Sequence, residues 1–223
     1  MDKFPFDIIG FDLDGTLVDT SGDLTAAVNY ALDTVGRPPL TAEEVKPMIG
    51  GGAKLMLQHG LNATGGIPDD EFKPLYRALL GYYEANVSVH SCLYPGGAAL
   101  LDRLDAMGIP YAVVTNKFEG LAVKLLTEMG LIDRIATVLG ADTLGIENAK
   151  PSGAPIVEMI KRCGGGRAAY VGDSIYDVMA AKNAGVPSIA VSFGFLHSPV
   201  EELGADAIID HWDELIPTLQ TLA

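Results

Sequence analysis

The run Ile8-Ile9-Gly10-Phe11 ends in two aspartates one residue apart, Asp12 and Asp14, and Gly15-Thr16-Leu17-Val18-Asp19 follows at once. A short, wholly apolar run of this kind makes a strand buried on both faces, which belongs in a parallel sheet covered by helices. Side chains alternate along a strand, so Asp12 and Asp14 leave its C-terminal end on the same side while Leu13 points away. Gly15 lets the chain turn there. Like charges this close repel. Folding alone gives no reason to place them beside a buried strand, whereas a cation and a reacting anion held between them do.

The alternation that such a sheet requires arrives only after an interruption. Leu24, Ala27, Val28, Ala31, Leu32 and Val35 recur at helical spacing over residues 21–34, with Ser21 as N-cap and Gly36 ending the helix before Arg37-Pro38-Pro39. Thr41-Ala42-Glu43-Glu44 has the form of a capping box for a short second helix. Gly50-Gly51-Gly52 breaks the chain, a third helix runs over 53–61, and Ile67-Pro68-Asp69-Asp70 opens a fourth that continues through Tyr83.

From Leu93-Tyr94-Pro95 onward strands and helices alternate. Strands are expected at 111–115, 135–139, 168–172, 188–191 and 207–209, with helices at 100–107, 120–129, 155–162, 178–184 and 214–219. The pattern predicts an α/β fold: a doubly wound parallel sheet built from residues 1–18 and 92–223, carrying an inserted all-helical domain over 19–91.

Composition narrows the function. Of the 223 residues 48% are hydrophobic and 20% charged, enough apolar material for a sizeable core. Fifteen basic against 29 acidic residues leave a net charge of -14, which argues against a nucleic-acid partner or an anionic membrane surface. An anionic substrate would then need a local cation and a few placed lysines. Cys92 and Cys163 suggest neither a metal knuckle nor a disulfide framework. No leader-like stretch precedes the first strand, and no apolar run approaches the roughly 20 residues of a membrane span, so a cytoplasmic location is expected.

In an open parallel sheet the ligand sits beyond the C-terminal strand ends. Those ends carry Asp12 and Asp14, then Thr115-Asn116-Lys117, then Gly172-Asp173-Ser174 with Asp177 behind it, while a loop brings in Lys150-Pro151. Taken singly, Thr115 is an ordinary turn former, Lys150 a surface lysine, and Asp173 or Ser174 a helix cap. Their joint placement at one sheet edge is what points to chemistry. Carboxylates without soft ligands select a hard cation, and Mg2+ is the commonest that also contacts phosphate.

Such a cation would neutralise Asp12 and Asp173. An aspartate can attack phosphorus to form an acyl phosphate that water then hydrolyses. A second carboxyl must protonate the leaving alkoxide, and Asp14, crowded by other carboxylates, is expected to hold a proton more readily than a free acid. Lys150, the Thr115 hydroxyl and backbone N–H groups near Asn116 would hold the phosphoryl oxygens. Residue types alone leave open which aspartate attacks.

The helical insert offers a second anion site. Gly51 and Gly52 present backbone N–H groups at the start of a helix, and Lys54 in its first turn adds a positive charge suited to a substrate carboxylate. The alternative is a plain linker with Lys54 on a solvated face. The insert's two crossings, near Val18-Asp19 and residues 89–95, would be the hinges.

Asp-x-Asp-Gly-Thr-Leu-x-Asp after an apolar strand resembles the first signature of the haloacid dehalogenase-like phosphohydrolases. Thr115, Lys150-Pro151 and Gly172-Asp173-Ser174 with Asp177 match the family's later stretches, and the insert matches its helical-cap subclass. The resemblance implies that Asp12 is the nucleophile and Asp14 the general acid/base. It implies Mg2+ ligation by Asp12, the Asp14 carbonyl and Asp173, with Asp177 in support.

Val114-Thr115-Asn116-Lys117, Tyr170-Val171-Gly172-Asp173-Ser174 and Ala180-Ala181-x-x-Ala184-Gly185-Val186-Pro187 are most similar to the bacterial phosphoglycolate phosphatase branch. Arg37-Pro38 and Ile49-Gly50-x-Gly52-Ala53 extend that similarity into the insert. The implied substrate is a small phosphorylated metabolite, first of all 2-phosphoglycolate. Phe118 stands where that branch usually has proline, Ser152-Gly153 replace His-Pro, and Phe195-Leu196 replace Tyr-Asn before His197. Sugar phosphates, nucleotides and pyrophosphate therefore stay open as substrates, as does a phosphomutase reaction like that of β-phosphoglucomutase. A dehalogenase has no use for an acid at position 14 or for Mg2+, and a non-catalytic phospholigand sensor would have lost catalytic positions that this chain keeps.

Overall fold

The computed structural model describes residues 4–66 and 69–222. In chain order its elements are β1 (Ile8–Phe11), β2 (Val18–Asp19), α1 (Ser21–Asp33), α2 (Ala42–Val45), α3 (Ala53–Ala63), α4 (Asp69–Ala85) and β3 (Cys92–Leu93). There follow α5 (Gly97–Met107), β4 (Tyr111–Val114), α6 (Glu119–Glu128), β5 (Val138–Leu139), α7 (Ala154–Arg162) and β6 (Ala168–Gly172). The chain closes with α8 (Ile175–Ala184), β7 (Ser188–Val191), β8 (Ala207–Ile209) and α9 (Leu215–Thr221).

Six strands form one parallel sheet in the order β5-β4-β1-β6-β7-β8. The chain winds outward from β1 through β4 to β5, then crosses back to β6 and winds outward the other way. β1 lies in the middle, with Ile9 opposite both Tyr111 of β4 and Ala169 of β6. The C-terminal ends of β4, β1 and β6 are therefore neighbours, which is where a doubly wound sheet opens a crevice.

Alternation along β1 serves two cores. Ile9 and Phe11 pack with Leu101, Leu104 and Leu125 of α5 and α6 on one face. Ile8 packs with Ile156, Met159 and Ala181 of α7 and α8 on the other. Gly10 faces that second side because nothing larger fits: a Cβ there would lie 2.6 Å from Met159 Sδ and 2.7 Å from the Tyr170 ring.

Between β2 and β3 the chain is helical. The apolar stripe of α1, Leu24, Ala27, Val28, Ala31 and Leu32, is buried with Leu57 and Leu61 of α3 and Leu75 and Leu79 of α4, making a helical cap. The two crossings are themselves paired, Val18 opposite Leu93 and Asp19 opposite Cys92, in a short antiparallel ribbon. Asp23 in α1 fastens the return crossing by accepting hydrogen bonds from His90 N at 3.0 Å, Ser91 N at 2.9 Å and Ser91 Oγ at 2.7 Å.

Several local readings change. Ser21 does not cap α1. Thr20 is the N-cap, and the Asp19 carboxylate accepts from Ser21 N and Ser21 Oγ at 3.0 and 2.6 Å. Thr41 and Glu44 do form the reciprocal capping box. The strand expected over 135–139 shrinks to Val138–Leu139, because β5 is an edge strand paired only with β4. α8 starts earlier than its apolar spacing suggests, since Ser174 and Asp177 close a capping box around its first turn. Ile67 and Pro68, expected to open α4, lie outside the described residues. Among the described residues no helix is long and apolar enough to cross a membrane.

Candidate active site

Asp12 follows the last residue of β1, and its N–H donates to Val171 O at 2.8 Å, which locks it in register with β6. Asp173 follows β6 and Asp177 lies in the first turn of α8. All three carboxylates are buried, and one oxygen from each falls within a 4.8 Å cluster. Lys150 Nζ enters the same cluster, 2.8 Å from Asp12 Oδ1, 2.6 Å from Asp177 Oδ1 and 3.2 Å from Tyr170 Oη. Tyr170, reaching from β6, donates its own proton to Val114 O at 2.6 Å and so ties Lys150 to the end of β4.

Each acid is held differently. Asp173 Oδ1 accepts from Thr16 Oγ1 at 3.1 Å and Oδ2 from Phe195 N at 2.6 Å. Gly15, at φ +86°, leaves room for it: a Cβ there would stand 2.2 Å from Asp173 Oδ2. Asp177 Oδ2 accepts from Ser174 N at 3.0 Å and from Ser174 Oγ, so its acceptors are occupied by the lysine and by its own helix cap. Asp12 Oδ1 sits beside the lysine but has no aligned hydrogen-bond donor.

Three buried carboxylates share one ammonium, so the cluster is short of positive charge. Burial raises the pKa of Asp12 from 3.8 to about 7; Lys150 opposes the shift and Asp177 adds to it. Burial, reinforced by Asp177 and Asp12, pushes Asp173 well above the usual carboxylate range. Burial also works against the charge on Lys150, but Asp12 and Asp177 outweigh it and its pKa rises. An all-oxygen donor set, an unsatisfied Asp12 oxygen and uncompensated negative charge together fit a hard divalent cation.

Asp14 leaves β1 toward the same cavity but has other company. Lys117 Nζ lies 2.7 Å from both of its oxygens, and Thr20 Oγ1 donates to Oδ1 at 2.7 Å. The expected crowding of Asp14 by carboxylates therefore gives way to a lysine pair. The Lys117 ammonium also lies 4.7 Å from the centroid of the Tyr83 ring, which belongs to α4 of the cap. Burial raises the Tyr83 hydroxyl to about 12. Lys117 is the site residue that sequence reasoning passed over. The available signal was its position two residues past Thr115 at a strand end, in a chain poor in lysine.

Thr115 is buried at the end of β4, and its hydroxyl oxygen accepts from Lys117 N at 3.2 Å. Asn116 contributes more than backbone. Its side-chain amide donates to Gly50 O at 3.3 Å and to Lys150 O at 3.2 Å, bridging the cap loop and the lysine loop. From the loop after β7, His197 Nε2 meets Ile49 O at 2.6 Å. Gly50 and Gly52 take φ +111° and +90°, which favours glycine in the loop that these contacts hold. Asp12, Asp14, Thr115, Asn116, Lys150, Gly51, Gly52 and Lys54 all line one cavity of about 480 Å3, with Lys54 exposed. Asp173 and Asp177 are off that lining and join the site through the carboxylate cluster with Asp12.

The model for "Haloacid dehalogenase-like hydrolase" matches residues 9–191. The chain belongs to that family. Among relatives of this hydrolase, the phosphoglycolate phosphatase of Agrobacterium fabrum is 40% identical over 213 residues, covering 94% of this chain and 90% of the relative. That of Caulobacter vibrioides is 40% identical over 204 residues, covering 90% and 85%. A crystal structure of a predicted phosphoglycolate phosphatase from Haemophilus somnus 129pt superposes with a TM-score of 0.87 at 32% identity, covering 96% of the hydrolase and 97% of that chain.

Proposed function

We propose that this hydrolase is a Mg2+-dependent phosphomonoesterase that works through an aspartyl-phosphate, with 2-phosphoglycolate as substrate. The observation that carries the reading is the buried Asp12–Asp173–Asp177 cluster with Lys150, open to a cavity that also holds Asp14. The Asp12 carboxylate attacks phosphorus as the bond to the leaving oxygen breaks, and Asp14 gives that oxygen its proton. Asp14 then takes a proton from the water that hydrolyses the acyl phosphate, which frees inorganic phosphate and restores Asp12. Lys150, the Thr115 hydroxyl and N–H groups near Asn116 hold the phosphoryl oxygens while charge spreads over them.

Asp12, the Asp14 carbonyl and Asp173 would hold Mg2+, with Asp177 supporting from behind. The ion would offset the negative charge of acids and phosphate. Residues 19–91 act as the cap over a core of 1–18 and 92–223, and Lys54 with the N–H groups of Gly51 and Gly52 receives the substrate carboxylate. Support for 2-phosphoglycolate comes from the relatives of that name, which match over most of their length.

The test is phosphate release from a panel of phosphometabolites with Mg2+ and with chelator. The expected result is metal-dependent release strongest on 2-phosphoglycolate. Preference for a sugar phosphate, nucleotide or pyrophosphate would overturn the substrate, and no release from any member would overturn the chemistry.

A further inference from the structure

A two-carbon acid fills only a small part of a cavity of about 480 Å3, a volume in the range that encloses much larger ligands. Most of the wall above the reacting carboxylates is hydrocarbon. Leu80 faces it from the cap and Phe118 and Leu121 from the start of α6, while Leu24, Met56 and Leu79 reach it from the buried core of the cap. Ile146, also on the lining, is 58% exposed, an apolar side chain left in water at the edge of the site.

Charge is scarce on that wall. Of the three lysines lining the cavity, Lys117 is bound to Asp14 and Lys150 to Asp12 and Asp177. Lys54 alone has no ion pair among the described residues, and it is exposed. A leaving group seated over Asp12 thus has apolar surface at Leu80, Phe118 and Leu121 beside the glycine loop and Lys54. That surface lines the same cavity as the phosphoryl site, within reach of what is attached to the phosphate.

We propose that the enzyme has a second substrate class, phosphate monoesters with an apolar leaving group such as an unbranched alkyl chain. The proposal rests on the phosphomonoesterase reading. The Asp12–phosphorus bond forms, the bond between phosphorus and the alkyl oxygen breaks, and Asp14 protonates the alkoxide. Water then hydrolyses the aspartyl-phosphate, so the products are an alcohol and inorganic phosphate. The alkyl chain leaves water for the wall formed by Leu80, Phe118 and Leu121.

The experiment measures kcat/KM for n-alkyl phosphates from methyl to hexyl with Mg2+, alongside 2-phosphoglycolate. Burial of each added methylene is worth up to about fourfold in kcat/KM, so the values should climb with chain length and level off once the cavity is filled. Leu121→Asn and Leu80→Asn, each checked for folding by its circular dichroism melt, should flatten the climb. Turnover of 2-phosphoglycolate with a flat or falling alkyl series would overturn the proposal and leave the phosphatase reading standing. A climb that neither variant alters would overturn it too, since the gain would then arise away from this wall. Release from no ester at all would overturn both.

Discussion

Replacing Asp12 with Asn should abolish turnover and, in metal-free protein above neutral pH, make the fold more stable. The substitution keeps the shape of the side chain and removes the attacking charge. The stability effect follows from linkage. Burial lifts the Asp12 pKa from 3.8 to about 7, a value that already includes the opposing pull of Lys150. A carboxyl with a raised folded-state pKa binds its proton more tightly folded than unfolded, so its contribution is complete below pH 4 and is lost as pH rises toward 7. Across that interval the loss runs at about 1.4 kcal/mol per pH unit, about 4 kcal/mol in all. Asn at position 12 has no proton to lose.

At about 2–4 °C per kcal/mol for a chain of this size, the variant should melt roughly 8–16 °C above the parent at pH 8 in chelator. The gap should close toward pH 4. Thermal melts of both proteins from pH 4 to pH 8, with phosphate release measured on the same samples, test both halves. A variant less stable than the parent at pH 8, or a gap independent of pH, would refute the electrostatic account. Substantial phosphatase activity in pure Asp12→Asn protein would refute the nucleophile assignment.

Ca2+ should inhibit, because it takes more oxygens at about 2.3–2.6 Å against about 2.0–2.1 Å for Mg2+ and can tie up both oxygens of Asp12; full activity in chelator, with metal content verified, would reject the metal role. Lys54→Ala should raise KM for 2-phosphoglycolate and hardly change kcat/KM for an ester without a carboxylate, so equal losses on both would move Lys54 out of substrate recognition. Lys117→Met leaves Asp14 without its cation and should cost about 3 kcal/mol in denaturant unfolding; adding Asp14→Asn should restore part of that, and strictly additive losses would show that the pair is not coupled.

Much of the fold was legible in short windows of sequence. The runs that became β1, β4 and β6, and β7 after its first residue, are apolar because both faces of the sheet are covered, and burial of consecutive residues is written directly into composition. The Thr41–Glu44 box was visible because its hydrogen bonds span three residues. Asp12, Asp14 and Asp173 could be found for the same reason: each sits just past a strand that declares itself, and parallel topology brings those ends to one edge. α8 was misjudged at its start because capping by Asp177 outweighs the apolar spacing of the residues that follow.

What tertiary structure decided are the partners of these groups. Lys117 is 103 residues from Asp14 in sequence, and Thr16 is 157 from Asp173, yet both pairs touch. Nothing in the Thr115-Asn116-Lys117 stretch says that the lysine will neutralise the second aspartate, or that the asparagine will bridge Gly50 and Lys150. The same holds for His197 and Ile49, and for the apolar wall, whose residues come from separate helices of cap and core. Local sequence determines which backbone a segment adopts, because steric and burial preferences act within a few residues. Which charges pair, and how much burial raises the pKa of Asp12, depends on distances and desolvation that exist only once the sheet and the cap enclose the site.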